Sequence, residues 1–172
     1  MMTSFDRIRL VVLDVDGTLT DGGIYYDSEG TEIKRFDVKD GLGIKVAKAA
    51  GIEFAILTGR KSAMVERRGR ELNIRHIRTN IQIKYPALLE LLAELEVTPE
   101  ECGYIGDDLN DYQVMQSVGF KACPEDAAEE IKQICDYVAK RTGGHGAVRE
   151  CLEFLLRKKG VWNEYARKIY AG

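Results

Sequence analysis

The feature that most constrains this chain is an apolar run that ends in two aspartates, LVVLDVDGTLTD at residues 10–21. The apolar residues, with two β-branched valines among them, predict a buried strand, and Asp14 and Asp16 follow it directly. Carboxylates this close repel each other unless they share a cation or a proton. Open α/β sheets bind ligands at the carboxyl ends of their strands, so the pair indicates a reactive site there. One carboxylate can serve as nucleophile and metal ligand, and the other as acid and base.

Composition narrows the class of protein. With 172 residues the chain has the length of one domain, and we expect a single domain over residues 1–172. The net charge of -3, without a basic tract, gives no reason to expect a nucleic-acid partner. No secretory signal precedes the first strand, and no apolar stretch approaches the roughly 20 residues of a membrane span. Four widely spaced cysteines read as buried thiols in a reducing compartment, so we expect a cytoplasmic protein.

Apolar runs alternate with amphipathic stretches, which is typical of a parallel sheet covered by helices. The predicted strands are Leu10–Leu13, Glu53–Leu57, Arg75–Ile77, Cys102–Ile105, Phe120–Ala122 and Tyr137–Val138. The predicted helices are Gly41–Ala50, Ser62–Leu72, Tyr85–Leu95, Asp111–Val118, Ala127–Ile134 and Ala147–Lys158. The pattern therefore predicts an α/β protein.

One segment interrupts this alternation. Residues 22–37, GGIYYDSEGTEIKRFD, hold two short strand-like pieces around Asp27-Ser28-Glu29-Gly30, which predicts a β-hairpin. Because it directly follows the aspartate pair, we expect the hairpin to project over the same end of the sheet. A flap over the site or an oligomer contact through its edges is favoured over a surface hairpin without a role.

A second acidic turn follows another predicted strand. The segment GYIGDDLND at residues 103–111 carries three carboxylates, those of Asp107, Asp108 and Asp111. An exposed acidic turn is the simple alternative, but oxygen ligands of this kind are those that Mg²⁺ prefers. The side chains of Asp14 and Asp107, with the main-chain carbonyl of Asp16, would meet that need.

Two weaker signals lie elsewhere in the predicted sheet. Thr58 and Gly59 stand between a strand and a helix, where a hydroxyl and free N–H groups can cradle a phosphate, although such a pair is also a common helix cap. Lys84 lies before a helix that begins near Tyr85, and its position alone does not distinguish it from a surface lysine.

Taken together, DxDGT at 14–18, TGR at 58–60, Lys84 and GDDxxD at 106–111 resemble the haloacid dehalogenase superfamily of phosphotransferases. The resemblance implies a Rossmann-like three-layer α/β/α fold and an aspartyl-phosphate intermediate on Asp14. It implies that Asp16 protonates the leaving oxygen and later activates water.

The same resemblance assigns the remaining motif residues. Mg²⁺ would be held by Asp14, Asp107 and the Asp16 carbonyl, and would neutralise charge on the transferring group. The phosphoryl oxygens would be bound by Thr58, Gly59 and Lys84. Asp108 and Asp111 would lie behind the residues that bind Mg²⁺ and phosphate, and would orient the metal ligands and Lys84.

The intervals from Asp21 to Gly41 and from Thr58 to Lys84 are too short for a folded cap domain, so the chain resembles the capless class. Within that class, four phrases are similar to the 3-deoxy-D-manno-octulosonate 8-phosphate phosphatase family: DVDGTLTDG at 14–22, FDVKDG at 36–41, TGRKS at 58–62 and GGHGAVRE at 143–150. That family implies a homotetramer whose hairpins form a central barrel and whose sites are completed by an adjacent subunit. It also implies a phosphorylated 2-keto sugar acid as substrate and a role in lipopolysaccharide precursor synthesis.

A sugar acid carries a carboxylate, for which arginine provides paired N–H donors. Arg60 and Arg68 match positions that the family uses for the sugar acid, and exposed helix charges are the alternative. The tail at residues 143–172 begins with glycines that suit either a segment folded over a neighbour's site or a flexible connector. The amphipathic stretch beyond Gly160 could dock on the body or on another subunit.

Other activities fit the motifs less well. A phosphatase for a nine-carbon keto sugar acid 9-phosphate is the main alternative, and Arg60-Lys61 favours the eight-carbon substrate. Displacement of halide from carbon gives Asp16 and Mg²⁺ little purpose. A phospho-receiver domain would need an acceptor carboxylate where Thr58 stands, and a non-catalytic binding domain would not be expected to keep Asp14, Asp16, Lys84 and Asp107.

Overall fold

The central strand of the sheet is Leu10–Leu13 in the computed structural model, which describes residues 4–171. All four of its side chains are buried, because helices cover both faces of the sheet. The strand pairs in parallel with two neighbours, so that Leu13 stands level with Ile56 on one side and with Ile105 on the other. The residues that follow these three strands therefore meet at one edge.

Eight strands and seven α-helices occur within residues 4–171. The strands are β1 (Leu10–Leu13), β2 (Tyr25–Tyr26), β3 (Glu32–Ile33), β4 (Glu53–Leu57), β5 (His76–Arg78), β6 (Cys102–Ile105), β7 (Phe120–Cys123) and β8 (Tyr137–Val138). The helices are α1 (Val38–Ala49), α2 (Ala63–Glu71), α3 (Lys84–Glu94), α4 (Tyr112–Gln116), α5 (Glu129–Ile134), α6 (Ala147–Lys158) and α7 (Trp162–Tyr170). Six strands form one parallel sheet in the order β5-β4-β1-β6-β7-β8. The predicted α/β/α fold is confirmed.

The apolar core is divided into two layers by the sheet. Val11 and Leu13 belong to the layer that contains α1, α6 and α7, whereas Leu10 and Val12 belong to the layer that contains α3, α4 and α5. This alternation follows from the two-residue period of a strand. Because apolar side chains cover both faces of the sheet, the polar side chains that follow β1, β4 and β6 lie at its edge.

The predicted hairpin is present as β2 and β3, which pair in antiparallel orientation. The Asp27 side chain closes the turn by accepting hydrogen bonds from the Glu29 and Thr31 N–H groups. A bridge between Thr20 and Phe36 ties its base together. Its apolar side chains are not covered: Ile24 and Tyr26 are each 60% exposed. Apolar burial within this chain therefore contributes little to holding the hairpin in place.

Three local expectations need correction or completion. The helix predicted at Asp111–Val118 is shorter and is preceded by a 3₁₀ turn at Leu109–Asp111, because Asp108 caps that turn through the Leu109 N–H. Lys84 is the first residue of α3 and does not precede it. The stretch beyond Gly160 forms α7 and packs on the body of the same chain through Trp162 and the residues that follow it.

The expected single domain spans residues 1–172, and residues 1–3 and 172 lie outside the described part. Within residues 4–171, no helix is both long enough and apolar enough to cross a bilayer.

Asp40 in α1 is a buried acid in the core between α1 and α6. It is 1% exposed, and its Oδ1 accepts a hydrogen bond of 2.7 Å from the Arg149 N–H. Its Oδ2 has no partner among the described residues. Burial raises the pKa of Asp40 to about 6 from the ordinary value of 3.8. The folded state thus retains the Asp40 proton to a higher pH than the unfolded state does.

We predict that Asp40→Asn removes a pH-dependent loss of stability. Since the pKa is raised on folding, ionisation of Asp40 lowers the free energy of unfolding as pH rises from about 4 to about 6, by about 3 kcal/mol in total. The neutral variant lacks this decline, so its stability relative to the unsubstituted protein should grow across that range. Denaturant unfolding at several pH values measures the difference. A difference that does not change with pH would contradict the assignment.

Candidate active site

The strand ends bring the first acidic pair and the second acidic turn together. The Asp14 N–H donates to the Ile105 carbonyl at 3.0 Å, so the loop after β1 continues alongside the end of β6. Asp107 follows β6 by two residues, and Thr58 follows β4 by one. The site is therefore built on the most deeply buried strands of the sheet.

At the centre of the site Lys84 lies between two carboxylates. Its Nζ is 2.6 Å from Asp14 Oδ1 and 2.6 Å from Asp111 Oδ1, and all three residues are buried. Burial works against the charge on Lys84, but the two carboxylates outweigh it and raise the pKa of Lys84. Burial, followed by the charge of Asp111, raises the pKa of Asp14 well above its ordinary value. Tyr104 supports this arrangement by donating its hydroxyl to Asp111 at 2.7 Å.

Asp107 completes the acidic cluster. Its Oδ1 accepts a hydrogen bond of 2.9 Å from the Thr18 hydroxyl, and its N–H donates to Asp111 Oδ2 at 3.1 Å. Burial is the main cause that raises the pKa of Asp107 to about 6. The Asp107 carboxylate lies against Gly17, where a Cβ atom would come within 2.0 Å of Oδ2. Gly17 also has a φ of 93°, so both the space and the backbone require glycine there.

The acidic cluster has the donor set of a hard divalent cation. Asp14, Asp107 and Asp111 each offer a carboxylate oxygen, and these oxygens lie within 4.8 Å of one another. Their burial and mutual repulsion raise the pKa values of Asp14 and Asp107, which a cation between them would reverse. Asp111 is already engaged by Lys84 and Tyr104, so Asp14 and Asp107 are the freer ligands.

The second residue of the acidic pair, Asp16, is contacted by the hairpin. Its Oδ1 accepts a hydrogen bond from Lys34, whose side chain is only 3% exposed. Lys34 also lies 3.5 Å from Glu32, and Glu32 in turn contacts Arg60 at 3.1 Å and the Ser62 hydroxyl at 2.6 Å. A polar chain thus connects the hairpin to Asp16 and to the loop after β4.

The other sequence-predicted residues divide into two groups. Thr58 is buried at the end of β4, and Gly59 follows it in the same loop. Arg68 instead contacts Glu71, the Asp37 carbonyl and the Phe36 ring. Asp108 is exposed and only caps the 3₁₀ turn. The contacts of these last two residues do not include Asp14 or Lys84.

Several site residues were missed in the sequence, namely Thr18, Lys34, Glu32 and Tyr104. Glu32 and Lys34 alternate on one face of a predicted strand, a pattern that could have indicated a shared polar contact. Thr18 and Tyr104 stand within the motifs but carry no chemistry that distinguishes them from core residues.

The glycine-rich loop of the tail packs against the loop of the acidic pair in the same chain. The Gly144 N–H donates to the Thr18 carbonyl at 3.2 Å, and a Cβ on Gly143 would lie 1.8 Å from the Gly17 carbonyl oxygen. These two glycines therefore serve close backbone approach rather than a loose connection.

Comparison with known proteins agrees with this geometry. Residues 76–151 match the family model of haloacid dehalogenase-like hydrolases, the class of protein that the sheet and the site define. Over 164 residues the chain is 44% identical to 3-deoxy-D-manno-octulosonate 8-phosphate phosphatase KdsC of Salmonella typhi, covering 95% of this chain and 87% of that protein. The chain belongs to the 3-deoxy-D-manno-octulosonate 8-phosphate phosphatase family.

Solved structures give the same result. The phosphatase of this name from Moraxella catarrhalis, crystallised with magnesium, phosphate and KDO, is 42% identical with a TM-score of 0.92, covering 96% of this chain and 95% of that one. The cobalt-bound enzyme from Haemophilus influenzae is 38% identical with a TM-score of 0.88, covering 93% of this chain and 94% of that one.

We predict that Gly17→Ala destabilises the protein more than Gly30→Ala does. Both glycines have positive φ, so both variants should lose about 1 kcal/mol through backbone strain. Only at Gly17 does the new methyl group meet the Asp107 carboxylate, because nothing lies within 4 Å of a Cβ at Gly30. The clash should add about 1–3 kcal/mol to the loss in free energy of unfolding. Equal losses in denaturant titrations would show that Asp107 is free to move.

Proposed function

We propose that this protein hydrolyses 3-deoxy-D-manno-octulosonate 8-phosphate to the free sugar acid and phosphate, in the synthesis of lipopolysaccharide precursors. The observation that carries the proposal is the buried Asp14–Lys84 pair beside Asp107, in a chain whose relatives bear that name. It is a phosphoric monoester hydrolase formed by one domain over residues 1–172, with a flap at residues 22–37 and a tail at 143–172.

In the first step Asp14 attacks phosphorus. One of its oxygens forms a bond to phosphorus while the bond to the sugar oxygen breaks, and Asp16 donates a proton to that leaving oxygen. The products are the free sugar acid, with a hydroxyl at the cleaved position, and an aspartyl phosphate on Asp14. Lys84 and the Thr58 hydroxyl, with the Gly59 N–H, would hold the phosphoryl oxygens.

In the second step water replaces the enzyme oxygen. Asp16, now ionised, takes a proton from the water as its oxygen bonds to phosphorus, and the bond to Asp14 breaks to release inorganic phosphate. Asp111 keeps Lys84 in place throughout, through the contact of 2.6 Å.

Mg²⁺ is the proposed cofactor, and the donor set of the site fits it. Asp14 and Asp107, with the main-chain carbonyl of Asp16, would hold the ion. When bound, it neutralises charge on the transferring phosphoryl group.

The names of the relatives support the eight-carbon substrate over a nine-carbon keto sugar acid. Arg60 is the first candidate for the sugar acid carboxylate, because its side chain is 41% exposed and its guanidinium is close enough for the charge of Asp16 to act on it. Arg68 is the second candidate for this carboxylate, although its own side chain contacts Glu71. A cytoplasmic location is part of the same proposal.

We predict that Asp14→Asn abolishes hydrolysis. An amide cannot form the acyl phosphate, so kcat should fall by at least about 10³-fold. A chelator should remove activity from the unsubstituted protein, and Mg²⁺ should restore it. Phosphate release from the eight-carbon and nine-carbon esters, measured side by side, also tests the substrate. A fully active Asp14→Asn variant would refute the mechanism, whereas a preference for the nine-carbon ester would refute only the substrate.

A homotetramer is the proposed assembly. Ile24, Tyr26 and Ile33 of the hairpin and Val38 of α1 are more than half exposed, a group of apolar side chains that a second copy of the chain would cover. The two-stranded hairpin also leaves its outer edges unpaired.

We predict that Ile24→Glu with Ile33→Glu disrupts this assembly. Charges at these positions would be buried without partners in a hairpin interface, so the particle mass in light scattering should fall towards that of one chain. Leu89→Glu, at an exposed apolar position on α3, is the matched control and should keep the mass of the unsubstituted protein. An unchanged mass in the double variant would exclude the hairpin as the contact.

A further inference from the structure

Glu32 of β3 is the junction between the hairpin and the loop after β4. Its Oε1 accepts a hydrogen bond of 3.1 Å from Arg60 and lies 3.5 Å from Lys34 Nζ, while its Oε2 accepts a hydrogen bond of 2.6 Å from the Ser62 hydroxyl. Although burial works to raise it, the Ser62 hydrogen bond and the charges of Lys34 and Arg60 lower the pKa of Glu32. Both oxygens of the Glu32 carboxylate are therefore engaged.

The contact with Glu32 orients Arg60 but engages only part of its guanidinium. One Nη2 donor contacts Glu32, and hydrogen bonding to Tyr26 and Glu32 raises the pKa of Arg60. A guanidinium has five N–H donors, so others remain, and 41% of the side chain is exposed. A free arginine samples many rotamers, and a ligand that binds it has to fix them.

We propose that Glu32 is a positioning residue for the substrate carboxylate, holding Arg60 in the orientation in which its remaining N–H donors receive that group. The inference rests on the proposed function, because a carboxylate-bearing substrate supplies the partner for Arg60.

Glu32 could instead occupy Arg60 in competition with the substrate, but its other contacts argue against displacement. Ser62 is 4% exposed and the Lys34 side chain is 3% exposed. Moving Glu32 away would leave the buried Ser62 hydroxyl without its acceptor, and Lys34 would keep Asp16 as its only carboxylate partner within residues 4–171. Ser62 and Lys34 thus hold the Glu32 carboxylate independently of Arg60.

The test compares two esters on the Glu32→Gln variant. For the sugar acid phosphate, KM should rise by about 10- to 100-fold, since a charge-assisted contact orients the binding group. For glucose 6-phosphate, which has no carboxylate, KM should change by less than about threefold, and kcat should be kept on both esters. Glu29→Gln in the same hairpin is the matched control, because Glu29 is exposed at the hairpin turn, and it should leave both KM values unchanged.

The double variant Glu32→Gln with Arg60→Met decides whether Glu32 acts through Arg60. If it does, adding Glu32→Gln to Arg60→Met should raise KM for the sugar acid no further. Additive effects, a fall in KM for the sugar acid, or equal losses on both esters would each overturn the inference. Failure of the proposed function is separate, because it would appear in the unsubstituted protein as no hydrolysis of the sugar acid phosphate or no preference for it over glucose 6-phosphate.

Discussion

The site depends on the ammonium group of Lys84, which α3 places between Asp14 after β1 and Asp111 after β6. The cluster holds three carboxylates, the buried Asp14 and Asp111 and the half-buried Asp107, and the ammonium of Lys84 contacts the first two, so the fully ionised cluster carries two uncompensated negative charges. A buried negative charge of this size is unfavourable. Without a bound cation, the protein therefore holds the pKa values of Asp14 and Asp107 above their ordinary values. A divalent cation has the charge that compensates the cluster, which connects the electrostatics of the folded chain to its chemistry.

The sheet and the hairpin are held by different forces. Apolar packing on both faces fixes the strand ends that carry Asp14, Thr58 and Asp107. The hairpin exposes its apolar side chains and is attached mainly by polar contacts, of which those of Lys34 and Glu32 are the most buried. The carboxylates of the acidic cluster thus stand on a rigid apolar base, and the hairpin is joined to that base through polar contacts.

Much of this could be predicted from local patterns. The run Leu10–Leu13 has one structural solution, a strand buried on both faces, and the aspartates after it mark the edge of the sheet. Lys84 could not be placed by pattern alone, since a lysine at a helix start looks like a surface residue until tertiary structure brings it 70 positions back to Asp14. The alternation of Glu32 and Lys34 indicates a shared face of the strand, but only tertiary structure shows which residues that face contacts. Asp40 was missed because nothing in the sequence of an amphipathic helix says that one acid faces the core.

The loop of the acidic pair has little freedom to move independently of its surroundings. Thr18 donates to Asp107, and its carbonyl accepts from Gly144, so the loop is fastened both to the end of β6 and to the glycine-rich segment. Arg35 of the hairpin donates to the Gly144 carbonyl at 2.7 Å. The hairpin therefore reaches the reactive loop by two routes, directly through Lys34 and Asp16, and indirectly through Arg35 and Gly144. A contact that orders the hairpin also restrains Asp16, because Lys34 of the hairpin donates a part-buried hydrogen bond to the Asp16 carboxylate.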